Sequence, residues 1–294
     1  MQRVETELQR LIDEVKYEEV NKLFSNLSGG KRLRAKLVLK IASDSSKAPL
    51  LAAIIELIHA ASLLHDDVID EADTRRGKPS VNATEGSKTA VMFGDILYSK
   101  GFSELVEFDK EIAKKVASSV TQLSVGEMQD VAMGEYFNTD EKKYLDMLYL
   151  KTATLIEAAA SSAAVLAGKD PQKYALYGRN LGLSFQIIDD ILDITSDEIT
   201  LGKPAMNDFY EGKMTLPYIY LYEDLPSDDK VKLQSLHKKV LTQENIAWIK
   251  QKMQEYNSIE KAYKVAQDLS DEAKKAVDDK ELQAILDKMI QRSY

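Results

Sequence analysis

The sequence predicts an all-α protein, and three observations support this. Apolar residues recur at intervals of three and four along about a dozen segments, the spacing of a helix with one buried face. The 294 residues include only six prolines and thirteen glycines, and these fall mostly between the periodic segments. The alternation of apolar and polar residues that is typical of strands is nearly absent. The chain therefore predicts a bundle of helices.

The periodic segments give the predicted helices, and the sequence shows no linker, short repeat or composition shift between them. They are residues 4–24, 33–43, 50–70, 88–106, 110–134, 141–167, 172–195, 213–223, 228–240, 244–256, 258–277 and 281–290. The predicted loops are residues 25–31, 73–82, 137–139, 168–171 and 196–212. Residues 50–64 and 155–166 are apolar on most faces, which predicts a position inside the bundle. Residues 228 onward are more polar and predict an outer layer. We expect one domain over residues 1–294.

The composition excludes several functions and compartments. The net charge is −9, from 39 basic and 48 acidic residues, which argues against nucleic acid as the main partner. The chain has no cysteine, so disulfides, thiolate metal sites and a cysteine nucleophile are excluded. Residues 1–15 are polar and charged, so we expect no secretory signal in this segment. The apolar run 49–64 contains Glu56 and His59, and we expect it to be too short to span a bilayer. We expect a soluble, cytoplasmic protein.

Two identical Asp-Asp-x-x-Asp motifs follow strongly apolar stretches. Their members are Asp66, Asp67 and Asp70 in the first motif and Asp189, Asp190 and Asp193 in the second. In each motif the first and third carboxylates share one helix face and repel each other. A divalent cation resolves this conflict, and ligands that are all oxygen favour magnesium. The pair of motifs therefore predicts a diphosphate bridged by metal ions that act as Lewis acids. A solvated acidic helix end is the alternative for either motif alone, but the apolar flanks argue against it.

Basic segments accompany both acidic motifs. They read Gly-Gly-Lys-Arg-Leu-Arg at 29–34, Arg-Arg-Gly-Lys-Pro at 75–79, Gly-Lys-Pro at 202–204 and Glu-Gly-Lys-Met-Thr at 211–215. Glycines and cations before a helix favour an anion. Arginine forks match phosphate oxygens, and lysines add point charges. Each segment alone is most simply a solvated surface, whereas their joint order predicts phosphate binding.

With these motifs the sequence strongly resembles the trans-polyprenyl diphosphate synthases, especially the bacterial medium- and long-chain type that includes octaprenyl, hexaprenyl and geranylgeranyl diphosphate synthases. The resemblance runs from Lys31 to Pro217 through GGKRLR, HDDVIDEADTRRGKPSVN, LKTATLIEAA, FQIIDDILDIT and GKPAMND…EGKMTLP. It implies an isoprenoid synthase-type bundle of long antiparallel helices around a central cavity. It also implies a homodimer, two or three magnesium ions, and the substrates isopentenyl diphosphate and an allylic prenyl diphosphate.

The resemblance implies a role for each residue that matches a family motif. Isopentenyl diphosphate would be bound by Lys31, Arg34, His59 and Arg76. The allylic diphosphate would be contacted by Arg75, Lys151, Lys203 and Lys213. Magnesium would be held by Asp66, Asp67, Asp70, Asp189, Asp190 and Asp193. Thr152 and Gln186 would lie near the developing carbocation, where their oxygens stabilise positive charge.

The resemblance also bears on the length of the product. In the family the residues four and five positions before the first aspartate control chain length, and here they are Ser62 and Ala61. Both are small, so we expect a medium- to long-chain product such as a quinone side-chain precursor. Candidates for the cavity floor are the bulky residues Met92, Phe93, Met128 and Met133. The chain departs from the family pattern at Ala35, where a proline is usual; both residues suit a first helical turn.

Several alternatives share parts of this pattern. A short-chain farnesyl or geranylgeranyl diphosphate synthase would carry the same motifs with a shallower cavity. A class I terpene cyclase would share the helical fold and the first motif, but it usually has an Asn-Ser-Glu type second motif and lacks the isopentenyl diphosphate segment. A non-catalytic synthase subunit or a helical scaffold would tolerate loss of the metal ligands, which this chain retains.

Overall fold

The computed structural model describes residues 1–27, 30–196 and 206–291. It is 79% helical, which confirms the all-α prediction. The helices are α1 (Gln2–Asp13), α2 (Glu18–Asn26), α3 (Leu33–Ile41), α4 (Ala48–Ile69), α5 (Val81–Glu85), α6 (Ser87–Glu104), α7 (Lys110–Gly134), α8 (Glu141–Leu148), α9 (Thr154–Leu166), α10 (Pro171–Thr195), α11 (Asn207–Tyr210), α12 (Leu216–Asp224), α13 (Ser227–Leu236), α14 (Gln243–Glu255), α15 (Ser258–Ala276) and α16 (Lys280–Ile290). A 3₁₀ turn spans Leu105–Glu107, and a π-helix spans Tyr149–Ala153.

Two segments that the periodicity predicts as single helices are divided in the structure. The segment 4–24 is broken between α1 and α2, where Lys16 adopts a left-handed backbone conformation with φ of 56°. The segment 141–167 is interrupted by the π-helix, a local widening that often marks a functional site. Apolar periodicity does not detect either feature, because the buried face continues across both interruptions.

A short hairpin lies in the predicted loop 73–82. Strand β1 (Thr74–Arg75) pairs antiparallel with β2 (Lys78–Pro79). The two residues between them, Arg76 and Gly77, have φ of 55° and 73°. Two successive positive φ values are typical of the tight turns that join twisted strands. The hairpin therefore gives the basic segment after the first aspartate motif a defined shape.

The contacts divide the chain into two compact units, each built from two stretches of sequence. The first unit comprises Met1–Thr121 and Leu155–Gly178, and the second comprises Gln122–Thr154 and Arg179–Tyr294. No single cut in the sequence separates them, and the single-domain assignment stays a prediction. In the first unit, α4 packs against α1, α3 and α6. In the second, α12 packs against α14 and α15, and α15 packs against α16.

Helix α4 is the apolar core element of the first unit. Pro49 stands in its first turn, where a missing backbone N–H has no cost, and most of its side chains are buried on all faces. By length and composition alone this helix could cross a membrane, with a mean hydropathy of 1.6, contrary to the expectation from the shorter run 49–64. However, 72% of that window is buried inside the protein, as in a core helix.

Candidate active site

The first aspartate motif lies at the C-terminal end of α4, within the first unit. Asp67 is only 4% exposed, whereas Asp66 is half-buried and Asp70 reaches the surface just beyond the helix. The helix thus carries the motif from its apolar core to its solvated end. The three carboxylates have different surroundings despite their identical chemistry.

The hairpin brings Arg75 onto the buried carboxylate of this motif. Both Nε and Nη2 of Arg75 lie close to Oδ1 of Asp67, at 2.7 and 2.6 Å. The base of the hairpin is tied to the chain just after α4, because Ser80 donates from its hydroxyl to the carbonyl of Ala72 at 2.6 Å. Arg75 therefore holds Asp67 in this structure. Its expected contact with the allylic diphosphate stays a prediction.

Two turns before the motif, the same unit gathers a cluster of cations around His59. A protonated imidazole at this position would be repelled by the positive charges of Arg34, Arg76, Arg75 and Arg32. Burial lowers the pKa of His59 well below its usual value, and these arginines lower it further. The structure thus brings together three of the four residues expected to bind isopentenyl diphosphate, while Lys31 is exposed at the start of α3.

Within this cluster, the surroundings of Arg34 give the clearest indication that an anion binds. Its Nε is buried without a hydrogen-bond partner. Burial lowers the pKa of Arg34 to about 10; Glu56 opposes this effect and Arg76 adds to it. A buried guanidinium with an unsatisfied N–H is costly unless an anion completes its contacts. The cluster therefore fits a diphosphate group.

Glu56 supports this cluster from inside α4. It is 4% exposed, and its Oε1 accepts the backbone N–H of Ala35 at 3.0 Å while its Oε2 accepts from Nη1 of Arg32 at 3.2 Å. A proline at position 35 would lack that N–H. The departure from the family pattern at Ala35 thus adds a bond that fixes the start of α3.

The lowered pKa of His59 predicts a loss of stability in acid. In the unfolded chain His59 has a pKa near 6.5, so the unfolded state binds a proton below that pH when the folded state does not. The free energy of unfolding should therefore fall below pH 6.5, by up to about 1.4 kcal/mol per pH unit from this group. Urea unfolding between pH 5 and 8 measures this fall. The variant His59→Gln should show a shallower fall, and parallel curves for the two proteins would contradict the assignment.

The second aspartate motif lies near the C-terminal end of α10, within the second unit. Asp190 is 5% exposed; it accepts the hydroxyl of Tyr144 on Oδ2 and the amide N–H of Gln186 on Oδ1 at 2.9 Å. Burial raises the pKa of Asp190 well above its usual value, and the negative charge of Asp208 adds to this effect; the two hydrogen bonds oppose it. Such crowding of carboxylates is relieved by a bound cation.

Asp193 forms hydrogen bonds with the backbone at the start of α11. It is 2% exposed, and its Oδ2 accepts the backbone N–H of Asp208 at 3.2 Å in the first turn of α11. Its carbonyl accepts the N–H of Met206 at 2.9 Å. The last aspartate of the motif therefore holds Met206 and the first turn of α11. Asp189 is half-buried on the same helix.

The π-helix presents Lys151 and Thr152 beside this motif. Nζ of Lys151 lies 2.6 Å from Asp130 and 2.9 Å from Glu127, two carboxylates of α7 that are each 6% exposed. Burial lowers the pKa of Lys151, but Asp130 and Glu127 outweigh it and hold the pKa above its usual range. Nζ of Lys213 lies 3.9 Å from Asp130. The structure thus brings together two lysines that were expected to contact the allylic diphosphate.

Thr152 and Gln186 form a hydrogen bond with each other. The hydroxyl of Thr152 donates to Oε1 of Gln186 at 3.2 Å, and the amide of Gln186 donates onward to Asp190. This chain of donors fixes the Gln186 amide, with its oxygen toward Thr152. A cavity of about 150 Å³ is lined by these residues together with Lys151, Lys213 and Asp190.

Gly126 allows α7 to approach the π-helix closely. A Cβ at this position would lie 2.3 Å from the backbone N of Lys151 and 2.7 Å from the carbonyl carbon of Leu150. Because these are backbone atoms, the variant Gly126→Ala should displace the π-helix, cost about 2 kcal/mol of stability and lower kcat at least about tenfold. Urea unfolding and steady-state kinetics measure both effects.

The same helix offers a matched control for this prediction. A Cβ on Gly134 would lie 3.5 Å from the carbonyl of Glu211, an ordinary contact. We expect Gly134→Ala to keep wild-type kinetics and to match or exceed wild-type stability, since alanine is the better helix former. If both variants behaved alike, close packing at Gly126 would not be what positions Lys151.

A larger cavity of about 830 Å³ lies elsewhere in the second unit. Its walls come from α8, α10, α12, α13 and α15, and its rim carries charges of both signs, including Asp146, Arg179 and Lys230. None of the residues expected in the active site lines it. Size alone therefore does not locate the chemistry in this protein.

The comparisons with known proteins identify the family of this chain. A family model described as polyprenyl synthetase matches residues 17–256. The chain belongs to the polyprenyl synthetase family. It is therefore a prenyltransferase of isoprenoid synthesis, a polyprenyl diphosphate synthase that acts on prenyl diphosphates. The family is metal-dependent.

Individual relatives agree with this assignment. The chain is 40% identical over 221 residues to a short chain isoprenyl diphosphate synthase of Methanothermobacter thermautotrophicus, which covers 71% of this chain and 68% of that protein. The octaprenyl pyrophosphate synthase of Helicobacter pylori is 44% identical, with a TM-score of 0.91 and coverage of 99% of this chain and 96% of that one. A polyprenyl synthase from Caulobacter crescentus, complexed with calcium and isoprenyl diphosphate, is 29% identical with a TM-score of 0.83, covering 98% of both chains.

The donor chemistry of this polyprenyl synthetase fits a hard divalent cation. Among the residues that the structure describes, no three His, Asp or Glu side chains converge as a preformed metal site. The motif carboxylates nevertheless offer only oxygen donors, and burial, followed by the negative charges of Asp208 and Asp189, raises the pKa of Asp190. Magnesium sites commonly take one or two carboxylates and complete their shell with waters and substrate phosphates. The residues present fit that arrangement.

Some residues that the sequence predicts at the site lie at the surface, and one is not among the residues that the structure describes. Met92 and Met128 are 58% and 73% exposed, so they do not form the floor of an enclosed cavity, because their side chains point to the surface. Phe93 is buried, and Met133 lines the 150 Å³ cavity. Lys203 lies outside the described residues.

The structure also adds residues that were not predicted at the site from the sequence. These are Glu56, Gly126, Glu127, Asp130, Tyr144 and Asp208. Carboxylates on largely buried helix faces are rare unless they are paired. Glu56, inside an apolar run, carried that signal in the sequence. Nothing in the sequence pattern indicates that another backbone lies close to Gly126.

Proposed function

We propose that this chain extends an allylic prenyl diphosphate with isopentenyl diphosphate in a magnesium-dependent reaction, and that its product is a medium- to long-chain all-trans polyprenyl diphosphate. The proposed reaction uses two or three magnesium ions.

One observation carries the proposal. Helix α4 bears His59, within the cationic cluster, and Asp66, at the start of the first aspartate motif. Seven residues separate them, a rise of about 10 Å along a helix. One unit of the protein thus offers two sites for diphosphates. The cluster around His59 would bind a diphosphate directly through its arginines. The first aspartate motif would bind a diphosphate through a cation that its carboxylates hold. A two-substrate condensation requires this pair.

The six motif aspartates divide between two tasks in this proposal. Asp66, Asp70 and Asp189 are the less buried carboxylates and would contact magnesium. Asp67, Asp190 and Asp193 are held by contacts to Arg75, Tyr144 and the backbone of Asp208, so they would set the geometry and add negative charge. Bound magnesium would supply Lewis-acid assistance to the departing diphosphate.

The chain's own residues account for the remaining steps. The C–O bond of the allylic diphosphate breaks, and its electron pair leaves with the diphosphate, whose charge Lys151 and Lys213 offset. The double bond of isopentenyl diphosphate, oriented by Arg34 and His59, supplies the electrons of the new C–C bond. The resulting cation loses a proton to the released diphosphate, which leaves a trans double bond. The oxygens of Thr152 and Gln186 stabilise the positive charge.

Incorporation of labelled isopentenyl diphosphate by the purified chain tests the reaction. We expect turnover that requires an allylic primer and magnesium and stops with EDTA. A chain that consumes allylic diphosphate without isopentenyl diphosphate would instead be a cyclase. A chain that does neither, while retaining its helical circular dichroism, would contradict the proposed activity.

The product length rests on Ala61 and Ser62. Ala61 is fully buried, and the hydroxyl of Ser62 donates to the carbonyl of His59 at 2.9 Å within the helix. Neither side chain projects a bulky group. The full-length likeness to the Helicobacter pylori octaprenyl enzyme supports a long product. The short-chain relative from Methanothermobacter thermautotrophicus supports the alternative of a short product.

Replacement of Ala61 by phenylalanine should shorten the product by at least one isoprene unit, because the ring would occupy the space into which the chain grows. Chromatographic sizing of the dephosphorylated product measures this length. Ala53→Phe is a matched control, since Ala53 is equally buried on α4 but two turns further from the motif. An unchanged product from Ala61→Phe would place the gate elsewhere.

We also propose a cytoplasmic homodimer that releases its apolar product at a membrane surface. Val125, Met128 and Val131 are exposed at intervals of three on α7, an apolar stripe that a second copy would cover. Light scattering should give twice the mass of one chain, and Met128→Glu should shift it toward the monomer.

A further inference from the structure

We infer that His65 is a positioning residue that fixes the first aspartate motif by anchoring the end of α4 to α6. The inference rests on the proposed function of Asp66 and Asp70 as metal-binding carboxylates. His65 immediately precedes Asp66, and nothing in the proposed mechanism uses it.

Three groups on one face of α6 hold the imidazole. Nε2 of His65 lies 3.1 Å from the carbonyl of Val91, and because a carbonyl only accepts, this nitrogen carries the proton. The carboxylate of Asp95 lies 3.5 Å from the same nitrogen. The ring of Tyr98 meets the imidazole edge-on, with 5.5 Å between the centroids. Residues 91, 95 and 98 are spaced by four and three, so they share one helix face.

Gly94, on the same helix, leaves the space in which the imidazole of His65 packs. A Cβ there would lie 2.3 Å from Nε2 and 2.6 Å from Cδ2 of His65. The imidazole thus occupies the space that any other residue at position 94 would fill. It is held by a hydrogen bond, by an aromatic contact and by close packing, all from α6.

This anchorage has a direct consequence for the motif. Helix ends fray most easily in their last turn, and α4 ends at Ile69, within the motif. The contact of Arg75 with Asp67 ties the motif to the hairpin, and His65 ties it to α6, one residue from Asp66 and five from Asp70. Its removal should let the last turn of α4 move, which separates carboxylates that must converge on one ion. Partners that orient metal ligands in this way typically contribute 10- to 100-fold in metal affinity, roughly.

Two substitutions of His65 in the full chain test the role. Mn²⁺ binding in the presence of inorganic diphosphate, followed by electron paramagnetic resonance, reports on the metal site without turnover. His65→Leu removes the donor, and we expect Mn²⁺ binding about tenfold weaker with an unchanged KM for isopentenyl diphosphate. His65→Gln keeps an N–H that can reach the carbonyl of Val91, and we expect it to restore most of the affinity.

Two glycines of α6 provide a matched pair that leaves His65 in place. Gly94→Ala should weaken Mn²⁺ binding like His65→Leu, because it displaces the ring. Gly101→Ala should match the wild type, since its Cβ would lie 3.4 Å from Cγ1 of Ile58 at the same interface.

The outcomes separate this role from the proposed function. Wild-type Mn²⁺ affinity in both His65→Leu and Gly94→Ala overturns the role of His65 and leaves the proposed function standing. Equal losses in Gly94→Ala and Gly101→Ala also overturn it, because they would reflect helix packing alone. A wild-type chain that binds no Mn²⁺ and shows no turnover overturns the proposed function and this inference together.

Discussion

Replacement of Asp66 by asparagine is expected to lower kcat by about 10³-fold, roughly 4 kcal/mol of transition-state stabilisation. The change removes one negative charge while keeping the size of the side chain. Asp66 is half-buried near the end of α4 and is more exposed than Asp67, whose carboxylate contacts Arg75. Steady-state kinetics over a range of magnesium concentrations measure the effect.

The loss should appear mainly in kcat and in the magnesium dependence. The proposed isopentenyl diphosphate site lies two turns back on α4 and depends on arginines, so the KM for isopentenyl diphosphate should stay close to the wild-type value. Asp44→Asn is a suitable control, because Asp44 is an exposed carboxylate of the same unit. Full activity of Asp66→Asn at ordinary magnesium concentrations would remove the basis for a metal role of the first motif.

Features that depend on local sequence could be predicted for this chain. The all-α class followed from apolar spacing of three and four, and the aspartate motifs stood out because acidic clusters rarely follow apolar runs. The grouping of Arg34, His59 and Arg76 was predicted only through the family resemblance. Spacing along one helix placed His59 and Asp66 on α4, but it said nothing about the hairpin that carries Arg76.

Features that depend on contacts between distant segments could not be predicted. The pairing of Arg75 with Asp67 requires the tight turn at Arg76 and Gly77, whose positive φ values no periodicity encodes. The contact between Gly126 and Lys151 joins two helices and exists only because one residue lacks a side chain. Likewise, the division of the six aspartates into buried and less buried members depends on helix packing, since the two motifs are identical in sequence pattern.

The second large effect is expected at Arg34, where function and stability should change in opposite directions. Methionine has a similar length and no charge. We expect Arg34→Met to raise the KM for isopentenyl diphosphate about 100-fold, which corresponds to about 2.7 kcal/mol of lost charge-assisted binding. Steady-state kinetics at saturating allylic primer measure this change.

The same variant should be more stable than the wild type by about 2 kcal/mol. The folded pKa of Arg34 is lowered to about 10, below its value in the unfolded chain, so the protonated form disfavours folding at neutral pH. This cost is relieved only as the pH rises through 10. Urea unfolding at pH 7 tests the sign. Lys36→Met is the matched control, because Lys36 is exposed on the same helix and should change neither KM nor stability.

Ligand binding connects the expected change in KM with the expected change in stability. If the unsatisfied Nε of Arg34 is reserved for a phosphate oxygen, isopentenyl diphosphate should raise the unfolding temperature of the wild type and leave that of Arg34→Met nearly unchanged. A variant that is destabilised would show that Glu56 compensates the buried charge fully. A stabilised variant with an unchanged KM would show that the charge serves no substrate. Only opposite changes in stability and affinity fit a cation that the fold keeps unsatisfied for its substrate.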